Sequence, residues 1–209
     1  MPDPAFAEPI AGVILAGGQG RRFGGVDKAF LDLDGRPLLA HVVDRFGPQV
    51  APLLVSANGD PARFAAWRLD VVADPFAEPV GPLAGVAAAG LHLRATRPDI
   101  DLLASVAVDT PRLPLDLVAR LKAALAARPE ARVAIAASRG REHPVAALHR
   151  LDGLDALVAG LADGSIRRVM RYVEMRGVVR VDFADDAGGD PFLNLNRHED
   201  FAEVPDFRA

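Results

Sequence analysis

The sequence predicts an α/β protein with three layers, in which helices cover both faces of a mostly parallel sheet. Short apolar runs alternate with segments of helical periodicity through about the first 130 residues. The run over residues 101–108 is apolar at most positions, as expected for a strand that is covered on both faces. Half of the 209 residues are hydrophobic, which is enough to bury the core of one sizeable domain.

The first half of the chain predicts four strands and four helices in alternation. The strands are 10–15, 52–57, 70–73 and 101–108, and the helices are 37–46, 61–67, 82–94 and 115–127. Apolar residues at 38, 39, 42, 43 and 46 lie on one face of a helix with 3.6 residues per turn. Pro37 and Pro82 suit the first helical turn, where the N–H that proline lacks has no partner in any case.

The second half predicts a change of topology near residue 130. Strands over 132–137 and 144–148 are joined by the polar turn SRGREH, and helices near 150–161 and 165–174 precede a strand over 178–183. We expect antiparallel strands here, added at the edge of the parallel sheet. Because no flexible stretch separates the halves, we predict a single domain over residues 1–209.

Composition excludes several functional classes. A net charge of −4 argues against a nucleic-acid partner, and the absence of cysteine removes disulfides, thiolate zinc sites and cysteine nucleophiles. The five histidines lack metal-ligand spacing, and no Gly-x-Ser-x-Gly motif indicates a serine esterase. The apolar runs are far shorter than about 18 residues, and the segment MPDPAFAEP is unlike a signal peptide. We therefore expect no membrane partner and a cytoplasmic location.

The segment GVILAGGQGRRFGGVDKAFLDLDG, residues 12–35, follows an apolar strand with a glycine-rich loop. It is neither a Walker loop, since the chain contains no Gly-Lys pair, nor a Gly-x-Gly-x-x-Gly fingerprint, since Phe23 takes the place of the third glycine. Successive glycine amides can nevertheless form an anion-binding nest. We predict that Gly17, Gly18 and Gly20 cradle phosphates while Arg22 and Lys28 supply positive charge. A surface turn with solvated cations is the alternative.

Polar side chains follow the other predicted strands where each strand ends. Asn58, Asp74 and Asp109 stand at these positions, and Gly81-Pro82 begins a helix. The carboxyl ends of parallel strands meet at one edge of a sheet, which is where open α/β sheets bind ligands. Alternatively, Asn58 and Asp74 begin ordinary turns, and Asp109 or the residue after it caps a helix. The sequence DLD at 32–34 is interpreted as part of a tight turn over 32–35 and not as a pair of metal ligands.

The loop resembles the signature Leu-Ala-Gly-Gly-x-x-x-Arg-Met-Gly-Gly-x-Asp-Lys of the molybdenum cofactor guanylyltransferases, with Phe23 in the place of methionine. Asn58, Asp74, Gly81-Pro82 and the Asp-Thr-Pro at 109–111 match the family's pattern in order. The resemblance extends over about residues 10–203. It implies a Rossmann-like sheet of the nucleotide-diphospho-sugar transferase type.

The resemblance implies transfer of GMP from Mg-GTP to the terminal phosphate of molybdopterin cofactor, giving molybdopterin guanine dinucleotide and pyrophosphate. It implies that Asp109 holds Mg²⁺, or Mn²⁺ in its place. Lys28, Arg22 and Asp109 would be the catalytic residues. The nucleotide would be bound by backbone or side-chain atoms of Leu15, Ala16, Gly17, Gly18, Gly20, Lys28, Asn58, Asp74, Gly81, Pro82 and Asp109.

The acceptor is expected in the second half. REHPVAALHR at 141–150 and FLNLNRHEDF at 192–201 resemble two further family segments, although Arg197-His198 departs from Thr-Pro. The predicted acceptor-binding residues are His143, Pro144, Asn194 and Asn196. A basic cluster at 167, 168 and 171 either binds the acceptor phosphate or is a solvated helix face. The domain would thus have a nucleotide-binding half at about 8–130 and an acceptor-binding half at about 131–205.

Two other functions remain open at this point. The first is a cytidylyl- or sugar-phosphate nucleotidyltransferase. The second is a non-catalytic nucleotide- or cofactor-binding protein, which would be expected to have lost Lys28 or Asp109. The expected partners are GTP and the molybdenum cofactor, and beyond them proteins that insert the cofactor or the molybdoenzymes that receive it.

Overall fold

The computed structural model describes residues 9–17, 27–76, 80–196 and 200–201. The strands are β1 (Ile10–Leu15), β2 (Asp32–Leu33), β3 (Arg36–Pro37), β4 (Leu53–Ser56), β5 (Asp70–Val72), β6 (Leu102–Ala107), β7 (Val133–Ser138), β8 (Arg141–Arg150) and β9 (Val178–Asp182). The helices are α1 (Leu38–Phe46), α2 (Pro82–Thr96), α3 (Leu117–Ala126), α4 (Leu154–Ala162) and α5 (Val169–Met175). Within these ranges, no helix combines the length and apolarity needed to cross a bilayer.

Seven of these strands form one mixed sheet in the order β5-β4-β1-β6-β8-β7-β9. β5, β4, β1 and β6 are parallel, β8 is antiparallel to both β6 and β7, and β9 is parallel to β7. The predicted fold class is confirmed. Within it, β8 alone among the described strands of this sheet runs against the rest, because the β7–β8 hairpin places its second strand beside β6.

Helices cover the sheet on both faces, so that central strands such as β1, β6 and β7 are buried on two sides. One core contains α1, α3 and the 3₁₀ segment Pro61–Trp67, and the other contains α2, α4 and α5. Close approach of α1 to β1 depends on Gly12, because a Cβ atom there would lie 2.8 Å from the Phe46 ring. The sequence predicted a helix over 61–67, where the structure has the tighter 3₁₀ form.

A small hairpin, β2–β3, follows the glycine-rich segment. Asp34 and Gly35 both have positive φ, 53° and 78°, and the Gly35 N–H donates to Asp32 Oδ1 at 3.1 Å. The aspartates of this segment therefore form the tight turn that the sequence predicted. Leu33 of the hairpin is buried against Leu195, which connects the hairpin to the segment 193–196.

β8 differs most from the sequence prediction. The predicted six-residue turn SRGREH is wrong, because only Arg139 and Gly140 form the turn, with φ of 50° and 72°. Pairing with β7 jumps from Ala147 to His143, which leaves the three residues between them outside the ladder. Pro144 suits this bulge because proline has no N–H to donate to a ladder.

Candidate active site

A cavity of about 620 Å³ lies at the carboxyl ends of β1 and β6. Its walls come from both halves of the chain, because β8 begins at this edge of the sheet and the segment 192–196 also lines the cavity. The sequence-predicted residues that line it are Leu15, Ala16, Gly17, Lys28, Gly81, Pro82, Asp109, His143, Pro144, Asn194 and Asn196.

Lys28 lies at the centre of a charged cluster in this cavity. Asp27 caps the 3₁₀ turn Lys28–Phe30, since its Oδ1 accepts the N–H of Ala29 at 3.0 Å. This turn directs Lys28 Nζ to Asp109 Oδ2 at 2.8 Å and to Asn196 Oδ1 at 2.6 Å. The Lys28 and Asp109 side chains are each 18% exposed, so the ion pair is only partly screened by water.

The segment 193–196 is attached to the end of β6 by two hydrogen bonds. The Leu195 N–H donates to the Asp109 carbonyl oxygen at 2.9 Å, and Thr110 Oγ1 donates to Asn194 Oδ1 at 2.7 Å. Leu195 is fully buried, whereas Asn194 and Asn196 line the cavity on either side of it. The two amides are therefore held beside the Asp109 carboxylate.

A smaller cavity of about 30 Å³ adjoins the first and shares Leu15, Gly17, Gly81 and Pro82 with it. Asn58 and Asp74 line this smaller cavity and not the larger one. Asn58 Oδ1 accepts the backbone N–H of Asp74 at 3.0 Å, so the loops that follow β4 and β5 are joined.

The amino end of α2 faces both cavities. Gly81 caps this helix with φ of 88° and ψ of −169°, a conformation that is essentially restricted to glycine. Pro82 occupies the first helical turn, and both residues line the two cavities. The partial positive charge of a helix amino end favours anions at this place.

The surroundings of Asp109 are suited to a hard divalent cation. Carboxylate, hydroxyl and amide oxygens of Asp109, Thr110, Asn194 and Asn196 lie within one hydrogen-bonded cluster. No group of three or more His, Cys, Asp or Glu residues arranged for a metal ion occurs among the described residues. Such a site fits Mg²⁺, which is commonly held by one or two carboxylates with water and substrate phosphates as its other ligands.

The bulge of β8 forms part of the wall of the large cavity. His143 stacks on Phe192, with ring centroids 4.7 Å apart and planes 20° apart. Burial lowers the pKa of His143 below its usual value, the charge of Asp190 opposes this shift, and Arg141 adds to it. The shift therefore favours the neutral form of the imidazole at pH 7.

Some predicted residues do not line either cavity or lie outside the described part of the chain, and some lining residues were not predicted. Gly18, Gly20 and Arg22, predicted from the sequence, lie outside the described residues. The basic residues at 167, 168 and 171 line neither of the two cavities. Phe192, Arg141 and Glu142 also line the large cavity. They stand in the two segments that resemble the family, 192–201 and 141–150, but were not among the predicted site residues.

Comparisons with known proteins agree with this architecture. The family model of the MobA-like NTP transferase domain matches residues 12–179. A molybdenum cofactor guanylyltransferase of Mesorhizobium japonicum is 45% identical over 197 residues, which cover 93% of this chain and 94% of that protein.

Solved structures share the fold. The crystal structure of molybdopterin-guanine dinucleotide biosynthesis protein A from Archaeoglobus fulgidus has a TM-score of 0.70 at 23% identity and covers 92% of this chain and 95% of that one. A manganese complex of a Mycobacterium tuberculosis protein has a TM-score of 0.65 at 17% identity, with 93% and 96% covered. From the family match and the 45% identity, the chain belongs to the MobA-like NTP transferases and, within them, to the family of the molybdenum cofactor guanylyltransferases.

Proposed function

We propose that this protein transfers GMP from Mg-GTP to the terminal phosphate of molybdopterin cofactor. An oxygen of that phosphate attacks the α-phosphorus of GTP, and a new P–O bond forms. The bond from the α-phosphorus to the bridging oxygen of the β-phosphate breaks, and its electron pair leaves with pyrophosphate. The products are molybdopterin guanine dinucleotide and pyrophosphate.

The Lys28–Asp109–Asn196 cluster is the main support for the proposal. It lies where the predicted nucleotide-binding residues meet the predicted acceptor-binding residues in the large cavity. The attacking phosphate is already anionic and needs little help from a base. The main barrier is the crowding of negative charge at the α-phosphorus. A lysine ammonium and pre-oriented amide groups reduce this barrier, because they do not have to reorganise during the reaction.

The nucleotide side would be formed by the end of β1, the amino end of α2 and the smaller cavity. Gly17 and Gly81 line both cavities and present backbone groups to a ligand that spans them. Asn58 and Asp74, joined by their hydrogen bond, would hold the guanosine. We include three further residues on the nucleotide-binding side because they stand in the sequence motif: Gly18, Gly20 and Arg22.

A divalent cation, Mg²⁺ or Mn²⁺, would be held by Asp109 together with substrate phosphates. When bound, it supplies charge neutralisation on the phosphate oxygens. The carboxylate, hydroxyl and amide oxygens that cluster around Asp109 support this assignment, as does the manganese complex of the structurally similar Mycobacterium tuberculosis protein.

The acceptor would enter from the side of β8, where His143, Pro144, Asn194 and Asn196 line the cavity. The proposed division into a nucleotide-binding half up to about residue 130 and an acceptor-binding half beyond it follows from this placement. Because the reaction consumes GTP, we propose a cytoplasmic location. Delivery of the product to cofactor-insertion proteins or molybdoenzymes is part of the same proposal.

The test is product formation with each nucleotide in turn. The protein is incubated with molybdenum cofactor, Mg²⁺ and GTP, CTP, ATP or UTP, and dinucleotide and pyrophosphate are measured by mass spectrometry and a coupled assay. We expect turnover with GTP. Turnover with CTP in its place, or transfer to a sugar phosphate, would show a different nucleotidyltransferase. Nucleotide binding without pyrophosphate release would show a binding protein.

A further inference from the structure

The wall of the large cavity formed by His143 and Phe192 is called the acceptor wall. A chain of hydrogen bonds runs from this wall into the protein. His143 Nε2 lies 2.8 Å from Ser138 Oγ, and Ser138 Oγ lies 2.7 Å from Asp190 Oδ1. Ser138 is 1% exposed, at the last position of β7, and Asp190 follows the loop after β9. The chain thus joins three separate elements behind the cavity.

Counting hydrogens fixes the direction of each bond. An ionised carboxylate can only accept, so the single Ser138 hydroxyl hydrogen is donated to Asp190 Oδ1. Ser138 Oγ must then accept from His143, which places the imidazole hydrogen on Nε2. In the neutral ring the other nitrogen, Nδ1, then has no hydrogen and is an acceptor.

Asp190 also positions the ring that stacks on His143. Its Oδ1 accepts the backbone N–H of Phe192 at 3.0 Å. Phe192 is 2% exposed and packs edge-on against Phe183, with ring centroids 5.4 Å apart. One carboxylate therefore holds both members of the His143–Phe192 stack, the first through Ser138 and the second directly.

The charges around His143 agree with a neutral ring. Burial is the largest influence and lowers its pKa, Arg141 acts in the same direction, and Asp190 acts against both. Glu142, the other charged neighbour on β8, is paired with Arg180 of β9. An uncharged imidazole with a bare Nδ1 accepts N–H donors and repels the oxygens of a phosphate, which are themselves acceptors.

We propose that Asp190 and Ser138 are positioning residues that hold His143 as the Nε2–H tautomer, so that its Nδ1 accepts a hydrogen bond from an N–H group of the acceptor's nitrogen heterocycle. The inference rests on the proposed function and adds to it the orientation of the acceptor in the cavity. The heterocyclic end lies at the His143–Phe192 wall, and the phosphate end lies at Lys28 and Asp109.

The tautomer is measured first, on the protein without substrates. Proton–nitrogen correlation spectra of ¹⁵N-labelled protein distinguish a protonated from a bare ring nitrogen, and His143→Gln assigns the signals. We expect a protonated Nε2 and a bare Nδ1 for His143 at neutral pH. Ser138→Ala should convert this into a mixture of tautomers. A protonated Nδ1 in the wild type would overturn the proposal.

The consequence for binding is measured by steady-state kinetics. Ser138→Ala and Asp190→Ala should each raise KM for the acceptor about tenfold, while KM for GTP and kcat stay within about twofold. The matched control is Ser105→Ala, because Ser105 is equally buried and also bonds to a histidine, His149, away from the cavity. That control should leave KM for the acceptor unchanged.

The outcomes separate this inference from the proposed function. If the wild type forms no guanine dinucleotide, the proposed function fails whatever the tautomer of His143. If the wild type forms product and Ser138→Ala leaves KM for the acceptor unchanged, the positioning role fails alone. If Ser138→Ala alters the backbone spectra, Asp190→Ala takes its place as the test of the acceptor KM. Ser138→Thr, which keeps the hydroxyl, should keep both the tautomer and the KM of the wild type.

Discussion

Lys28 Nζ lies 2.8 Å from Asp109 Oδ2 and joins two segments that are 81 residues apart in the chain. Each side chain is 18% exposed, so the attraction between the charges exceeds that of a pair in open water. The pair keeps an ammonium and a carboxylate side by side in one cavity. A site for nucleotidyl transfer needs both charges, the first for phosphate oxygens and the second for a divalent cation.

Lys28→Ala should lower kcat/KM for dinucleotide formation by about 10²–10³, the usual loss for one pre-oriented donor to a developing charge. Pyrophosphate release measures this directly. Lys122→Ala is the matched control, since Lys122 is the other lysine of the sequence and lies on α3, away from both cavities. Equal activities of the two variants, with circular dichroism unchanged, would contradict the role of Lys28.

Asp109→Asn should shift the Mg²⁺ dependence of the reaction to higher concentrations and lower the maximal rate, because an amide oxygen binds a hard cation more weakly than a carboxylate. The measurement is a Mg²⁺ titration of initial rates after treatment with EDTA. Asp101→Asn is the control, because Asp101 is exposed and immediately precedes β6, whereas Asp109 follows its other end. An unchanged Mg²⁺ titration in Asp109→Asn would exclude Asp109 as the metal ligand.

Gly81→Ala should raise KM for GTP and lower the free energy of unfolding by about 1–3 kcal/mol, because only glycine adopts its φ of 88° and ψ of −169° without strain. The strain would be relieved by moving the start of α2, which lines both cavities. Gly140→Ala is the control, since Gly140 also has positive φ but lies in the β7–β8 turn. An unchanged KM for GTP in Gly81→Ala would show that the helix start does not contact the nucleotide.

Most of the fold and part of the site are predictable from local pattern. The alternation of apolar runs and helical periodicity identified the parallel half, because buried strands and amphipathic helices leave distinct signals. The order of the strands and the loops at their carboxyl ends also predict that Asp109 and Lys28 lie at one edge of the sheet. A motif and a topology together thus define the centre of the site.

The acceptor wall is where local pattern fails. Arg141 and Glu142 belong to β8 but are polar and partly exposed, so the strand was predicted to begin three residues too late. Ser138 and Asp190 are 52 residues apart, and their bond through one hydroxyl has no counterpart in hydrophobic periodicity. Contacts of this kind depend on how the loops at the edge of the sheet pack together. Neither Ser138 nor Asp190 stands in the motifs that identify the family.

His149 is buried on β8 beside Tyr172, away from the cavity. Ser105 Oγ donates to the Val145 carbonyl oxygen and lies 3.2 Å from His149 Nε2, so it accepts the imidazole N–H. No described residue provides a hydrogen-bond partner for the remaining nitrogen, Nδ1. Burial lowers the pKa of His149 from its usual 6.5 to about 4, and the charge of Arg176 adds to this shift.

The protein should therefore lose stability as the pH falls from 6.5 toward 4. In this window the unfolded chain protonates His149 while the folded state does not, so unfolding takes up a proton and becomes easier. The full loss is about 3 kcal/mol, reached below the folded pKa. Urea unfolding at a series of pH values measures it, with His149→Leu as the comparison. The variant should lack this part of the pH dependence, since Ser105 keeps its bond to Val145 and no titrating group remains at the position. If the free energy of unfolding changes with pH in the same way in the two proteins, His149 takes up its proton in the folded state within this pH window or is not buried there.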